Sequence, residues 1–241
     1  MKTSDKLLLI FALLILASFG AVHLTLYARL KGGHITNSMD TQSGWVHPYA
    51  GKTPVKVILK GNINVSLEYS DSFEVEVQQD AAARISCQME GDSLVIKGDS
   101  LLSVNPHSFF QNYNDLPWVS LDIPPHTSIR LEGQLALFKG SKQPGKASFR
   151  VEAKNSQVWL GETYGMEGTN YPTHYYDSVY IQEENSNLVL HRNAAINHLA
   201  VQLDDLSEAN DQHVKAGSIQ IQYTPLSKLS LTGANLDKLN K

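Results

Sequence analysis

Two adjacent acid pairs, Glu183-Glu184 and Asp204-Asp205, are the residues in this chain best equipped for hydrolytic chemistry. Glycoside hydrolysis needs two carboxyl groups flanking one bond, about 5–10 Å apart. Neighbours on a strand point to opposite faces, so either pair would have to lie in a turn to converge. Both pairs therefore read as solvated surface acids. The histidines are scattered, without the His-x-His or Cys-His spacing of a metal site. His191 and His198 could meet only through the fold. No Gly-x-Ser-x-Gly nucleophile motif is present, and Gly32-Gly33 reads as a flexible joint instead of a phosphate loop. The one cysteine, Cys87, excludes an intramolecular disulfide. Ile85, Cys87 and Met89 alternate with polar residues, which places the thiol on the inward face of a strand as a small apolar group. The expectation is a non-enzymatic chain with no cofactor and no metal.

The remaining functional candidates are aromatic. One insert, 103–118, holds Phe109, Phe110, Tyr113 and Trp118 among Asn, Pro and His. A second, 164–176, holds Tyr164, Tyr171, His174, Tyr175 and Tyr176. Aromatic rings with polar edges suit contacts to a protein or a sugar, and these nine residues form the candidate ligand-binding set. Both inserts could instead fold back and cap the apolar flank of the domain, because an ordered loop must bury something to offset its entropy.

The elements that must position these groups begin with an apolar run. Residues 7–27, LLLIFALLILASFGAVHLTLY, carry no acid, Lys or Arg and are long enough to cross a bilayer of roughly 30 Å as a helix. The run continues past Ser18 and Gly20, where a cleaved signal would end, and Tyr27 before Arg29 and Lys31 suits an interfacial anchor. An uncleaved signal anchor (1–31) is expected, then a linker (32–54), then a domain (55–241). The expected placement is a single-pass inner-membrane protein with its C-terminal domain outside the cytoplasm, in the periplasm. Beyond residue 31 the chain holds 16 basic and 23 acidic residues, a net of −7, with no basic block. Binding to nucleic acid is disfavoured.

From Val55 onward apolar and polar residues alternate in short rows, as in Ile63-Val65-Leu67-Tyr69 and Phe73-Val75-Val77. Period-two alternation marks strands with one buried face. The segments starting at Ser128, Ser148, Ser178, His198 and Ser218 resemble one another and recur about every 20 residues, with one interval near 30. Second rows follow at 157–160, 187–190 and 228–231. Repeats of this length with two short strands each fit a β-solenoid, in which stacked coils share one core. An antiparallel sandwich is the alternative.

Several passages resemble the auto-transporter adhesin head (GIN-domain) family of bacterial envelope proteins. They are Val55 to Gln78, then Glu90-Gly91-Asp92-Ser93-Leu94-Val95-Ile96, Val119 to Pro124 with Ser128 to Gly133, and Leu231-Thr232-Gly233-Ala234-Asn235. The resemblance implies an all-β fold, a right-handed parallel β-helix, here preceded by one N-terminal transmembrane helix. It implies exposure at the envelope and adhesin-like binding, and it carries no catalytic residues. The expected function is a membrane-anchored envelope protein binding a protein or glycan partner. An envelope sensing accessory, or a carbohydrate-active β-helix enzyme, is the alternative.

Overall fold

Wherever one face of an extended segment must be buried, alternation lays down a strand. The computed structural model describes residues 44–99, 117–161 and 173–239, and among them it holds 17 strands in two sheets. In chain order the first six are β1 (Trp45–Val46), β2 (Lys56–Lys60), β3 (Asn64–Tyr69), β4 (Glu74–Gln78), β5 (Ile85–Glu90) and β6 (Ser93–Gly98). There follow β7 (Val119–Ile123), β8 (Ser128–Glu132), β9 (Leu135–Lys139), β10 (Ser148–Lys154), β11 (Gln157–Leu160) and β12 (His174–Glu184). The last are β13 (Asn187–Leu190), β14 (Ala194–Leu203), β15 (Glu208–Asp211), β16 (Lys215–Tyr223) and β17 (Lys228–Ser230). Every described strand lies in one compact unit, Trp45–Lys241. The expected membrane segment, 7–27, falls outside the described residues. No helix among the described residues is long and apolar enough to cross a membrane.

One sheet has nine strands in the order β1-β4-β7-β3-β9-β11-β13-β15-β17, and the other has eight in the order β16-β14-β12-β10-β8-β2-β6-β5. From β8 onward the chain alternates between them, so each rung is one strand of the eight-stranded sheet followed by one of the nine-stranded sheet. The pairing between these rungs is parallel. Ser148, Ser178, His198 and Ser218 stand side by side, as the repeat spacing predicts. Ser128, however, stands beside Arg150 and not Ser148. The slip is even, so Ile129 and Leu131 still share the inward face with Val151 and Ala153.

The first rung is out of chain order. Strand β2 inserts between β6 and β8, and β3 inserts between β7 and β9. Beyond this rung the sheets end in antiparallel strands: β4 on β7, β1 on β4, and β5 on β6. The stretch assigned to a linker is thus partly sheet, because Trp45–Val46 pairs with β4 and Tyr49 meets Phe73 edge-on at 5.9 Å. On the edge strand β5, Cys87 is half-buried against the core, and burial pushes its thiol pKa up to about 11, the inert regime. Met89, expected to face inward, is exposed near the tip of that hairpin.

Inward side chains of both sheets form one cluster, including Leu59, Leu131, Val151, Ile181 and Val201 from one and Leu67, Phe138, Leu160 and Leu190 from the other. Burying each such side chain stabilises the fold by about 1.5–3 kcal/mol. At the far end Asp211 holds the closing segment. Its carboxylate accepts from Val214 N (2.8 Å), Thr232 N (3.0 Å), Thr232 Oγ1 (2.6 Å) and Asn235 Nδ2 (2.7 Å). Burial alone would raise its pKa, yet these donors hold it below the usual value.

The corner leading from the eight-stranded to the nine-stranded sheet carries a buried hydroxyl ladder. Gln134 N donates to Ser156 Oγ (3.1 Å), Ser156 N to Ser186 Oγ (3.1 Å), and Ser186 N to Ser207 Oγ (3.4 Å). The residue just before each ladder member turns the chain with positive φ: Gly133 (77°), Asn155 (49°), Asn185 (49°) and Leu206 (65°). Gly and Asn tolerate that region, whereas a Leu is strained there. Leu206 is also 69 % exposed, so its side chain gains little in return. Leu206→Asn should therefore stabilise the fold by about 1 kcal/mol. It should also extend the Asn185 Nδ2 to Asn155 Oδ1 bond (2.7 Å) by one rung. The check is the urea midpoint of the variant, which should rise at an unchanged slope.

Candidate binding surface

Alternation within β12 decides the fate of one aromatic candidate set. His174 and Tyr176 point inward and are buried, while Tyr175 between them is half-buried. The Tyr176 hydroxyl donates to Phe138 O (2.7 Å) and accepts from Gly161 N (3.0 Å). Its ring lies 6.1 Å from that of Phe149, which meets Phe138 at 5.3 Å. Tyr176 is therefore a pin of the interior, with 1 % of its surface exposed and none to offer a partner. Tyr175 exchanges backbone hydrogen bonds with Ser141 in both directions. Trp118 packs partly buried against the core, with its backbone N–H on Asn64 Oδ1 at 2.8 Å. Phe109, Phe110, Tyr113, Tyr164 and Tyr171 lie outside the described residues.

The Glu183-Glu184 pair lies on a strand and does not converge, whereas Asp204-Asp205 sits in the turn after β14, with Asp204 half-buried and Asp205 exposed. Glu184 faces solvent and pairs with Lys154 at 2.6 Å, while Glu183 points into the core beside Ala153 and Leu203. The expectation of two surface acids fails for Glu183, which is fully buried with neither carboxylate oxygen hydrogen-bonded. Desolvation pushes its pKa up to about 8. His191 bonds Asn193 and His198 bonds Ser218, so the two histidines have separate partners. A mixed donor set does form where β1 meets β4. There His47, Glu74 and Glu76 bring one ligand atom each within 4.8 Å of the others. His47 spans the carboxylates with both ring nitrogens, at 3.0 Å and 3.9 Å, which is an ion-pair arrangement. Beside it, burial and then the charges of Glu68, Glu74 and Glu76 raise the pKa of Asp122. No sequence spacing links His47 to these acids; only the antiparallel edge does.

Two open surfaces remain. On the outer face of the eight-stranded sheet a cavity of about 410 Å³ is lined by Ser148, Arg150, Ser178, Tyr180, His198 and Ala200, among others. The Arg150 guanidinium lies 5.2 Å over the Tyr180 ring, and Ala200 is the neighbour on the other side. Ser178 donates to Ser148 at 2.9 Å. On the same face Lys56 reaches across β8 to Glu152 at 2.9 Å, and Lys154 pairs with Glu184 on the next rung.

The second surface is a groove of about 430 Å³ along the corner, above the hydroxyl ladder. Asn62, Gly133, Asn155, Asn185 and Leu206 line one side, Gln134, Ser156 and Ser186 the corner, and Leu135, Gln157, Asn187 and Glu208 the other. Leu135, Gln157, Asn187 and Glu208 form one row in register across β9, β11, β13 and β15. The Gln134 amide nitrogen donates to Gly61 O and to Glu132 O (2.8 Å), which fixes the direction of Oε1. That oxygen and Asn187 Oδ1 are buried and without a hydrogen-bond partner. The sequence does carry a signal for this groove: Asn-Ser recurs at 155–156 and 185–186, each time one residue past a charged strand end.

No family model matches the chain, and no curated protein does. Among solved structures, a putative cell adhesion protein from Clostridium sporogenes ATCC 15579 aligns over 78% of this chain and 97% of its own, at 14% identity and a TM-score of 0.30. A putative adhesin from Bacteroides fragilis NCTC 9343 aligns over 78% and 93%, at 13% identity and 0.31. A putative adhesin from Parabacteroides merdae ATCC 43184 aligns over 78% and 95%, at 10% identity and 0.28. At these scores the likeness carries no argument about function.

Glu183 makes stability depend on pH. Its folded-state pKa lies above the ordinary value of 4.5, so the folded state holds the proton more tightly than the unfolded one. The contribution is complete below pH 4.5 and is lost as pH rises through about 8. Glu183→Gln should remove this slope and leave the variant more stable than the parent above that range, on the order of a few kcal/mol. Urea unfolding at a series of pH values checks this.

Proposed function

We propose that the chain is a membrane-anchored, non-enzymatic protein of the bacterial envelope that holds a glycan or protein partner along its corner groove. In this reading the Trp45–Lys241 unit is a right-handed parallel β-helix of the GIN-domain type, anchored through residues 7–27 and facing the periplasm. The parallel rungs and the recurring register support the helix, and the apolar run supports the anchor.

One observation carries the binding reading. The groove repeats neutral hydrogen-bonding side chains from rung to rung, Asn155 and Asn185 on one side and Gln157 and Asn187 on the other. Polar pockets that fix a ligand do so with a few such pre-oriented groups. Opposed faces for Glu183 and Glu184 favour binding over hydrolysis.

The full chain in detergent micelles, screened against envelope polysaccharides and envelope proteins, should bind at least one. The double variant Gln157→Leu/Asn187→Leu should lose at least tenfold in affinity with its melting temperature no lower than the parent's. Undiminished binding by the double variant would overturn the role given to the groove. With a C-terminal tag, the domain should resist protease in intact cells and be cut in spheroplasts. Protection until lysis would reverse the topology.

A further inference from the structure

Building on that reading of the groove, we infer that its occupant is an extended, uncharged polysaccharide that runs along the stack of rungs with one sugar residue per rung. The first argument is charge. No Lys or Arg lines the groove, and its one ionisable residue is Glu208 at one end. Phosphate chains and acidic glycans would find no counter-charge there, and Glu208 would repel them.

The second argument is hydrogen-bonding capacity. Gln157 and Asn187 stand in one row across the groove wall, in register from rung to rung. The Asn155 and Asn185 amides, already joined to each other, face the same space. Sugar hydroxyls both donate and accept, which suits a row of mixed amides.

The third argument is period. Rungs repeat at about 4.8 Å, and one pyranose of an extended polysaccharide advances by a length much nearer to this than a peptide residue does. A peptide lying the same way advances about 3.3 Å per residue and would drift out of step with the amides. The five turns from Asn62 to Leu206 span four such steps, roughly 19 Å, room for four or five sugars. No aromatic ring lines the groove, so recognition rests on hydrogen bonds and on sequential occupation of rungs.

The test is calorimetric titration of the full chain in micelles with uncharged β-1,4-linked gluco-, manno- and N-acetylglucosamine oligosaccharides of increasing length. At least one series should gain tenfold or more in affinity from the disaccharide to the tetra- or pentasaccharide and then level off. Raising the salt should change that affinity less than twofold, and Gln157→Leu/Asn187→Leu should lower it at least tenfold. Failure of all three series, affinity independent of length, or steep salt dependence would overturn the inference. If a protein or charged glycan instead binds and is lost in the double variant, the groove stands as the site and only the polysaccharide falls. If the oligosaccharides bind but the double variant binds them equally well, both fall together.

Discussion

A buried backbone N–H at the corner between the sheets needs an acceptor, and in three rungs a serine hydroxyl of the next rung supplies it, while the N–H groups beside it reach backbone carbonyls. Ser156, Ser186 and Ser207 each serve the rung before. The Ser156 and Ser186 hydroxyls then donate to Lys154 O and Glu184 O within their own turns. One side chain thus satisfies a neighbour's donor and its own turn's carbonyl. The spacing this imposes sets the parallel register on both sides of the corner. From that register come the shared core and the row of amides over the ladder. An alanine in place of any of these serines would leave a buried N–H unpaired, the costly kind of loss.

Much of the architecture was legible because burial writes a period of two. Val65, Leu67, Val75 and Val77 announced their strands, and the spacing from Ser148 to Ser218 announced the rung register. Other elements left no such trace. Strand β15, Glu-Ala-Asn-Asp, buries only Ala209 toward the core and spends Asp211 on the closing segment, so no apolar row exists to read. The place of β2 depends on Ile129, a partner remote in the chain, and no local pattern encodes that choice. The slip of Ser128 to Arg150 is even and leaves the period of two intact, so no local pattern records it.

The site was less legible than the fold, for a related reason. Tyrosine is amphipathic, and a cluster of tyrosines reads equally as a surface or as a core with hydroxyls attached. Tyr176 takes the second role because a carbonyl and an N–H lie within reach of its hydroxyl. Conversely, Asn155 and Asn185 read as ordinary turn formers, which they are. Their further role follows only when the turns are stacked, because a lone asparagine turn is punctuation and a column of them is a surface. Glu183 is the residue that the pattern placed correctly in direction and wrongly in environment: alternation fixed its face, but that face is the apolar one.

The misplaced first rung bears on how the molecule assembles. Strands β10 to β16 each find a partner made shortly before, so closing each rung costs a short loop. The β2–β3 rung is synthesised first, yet it must wait for β8 and β9 on one side and for β6 and β7 on the other. Its contacts carry the highest sequence separation in the domain, and such contacts form late because their chain entropy must be spent before they repay it. Nucleation therefore belongs to the later rungs, and the stack grows backward toward its own beginning. The part of the domain nearest the N-terminal segment is the last to become sheet. Until then its apolar rows are the open edge of a growing array, covered only when the antiparallel strands β1, β4 and β5 close over it.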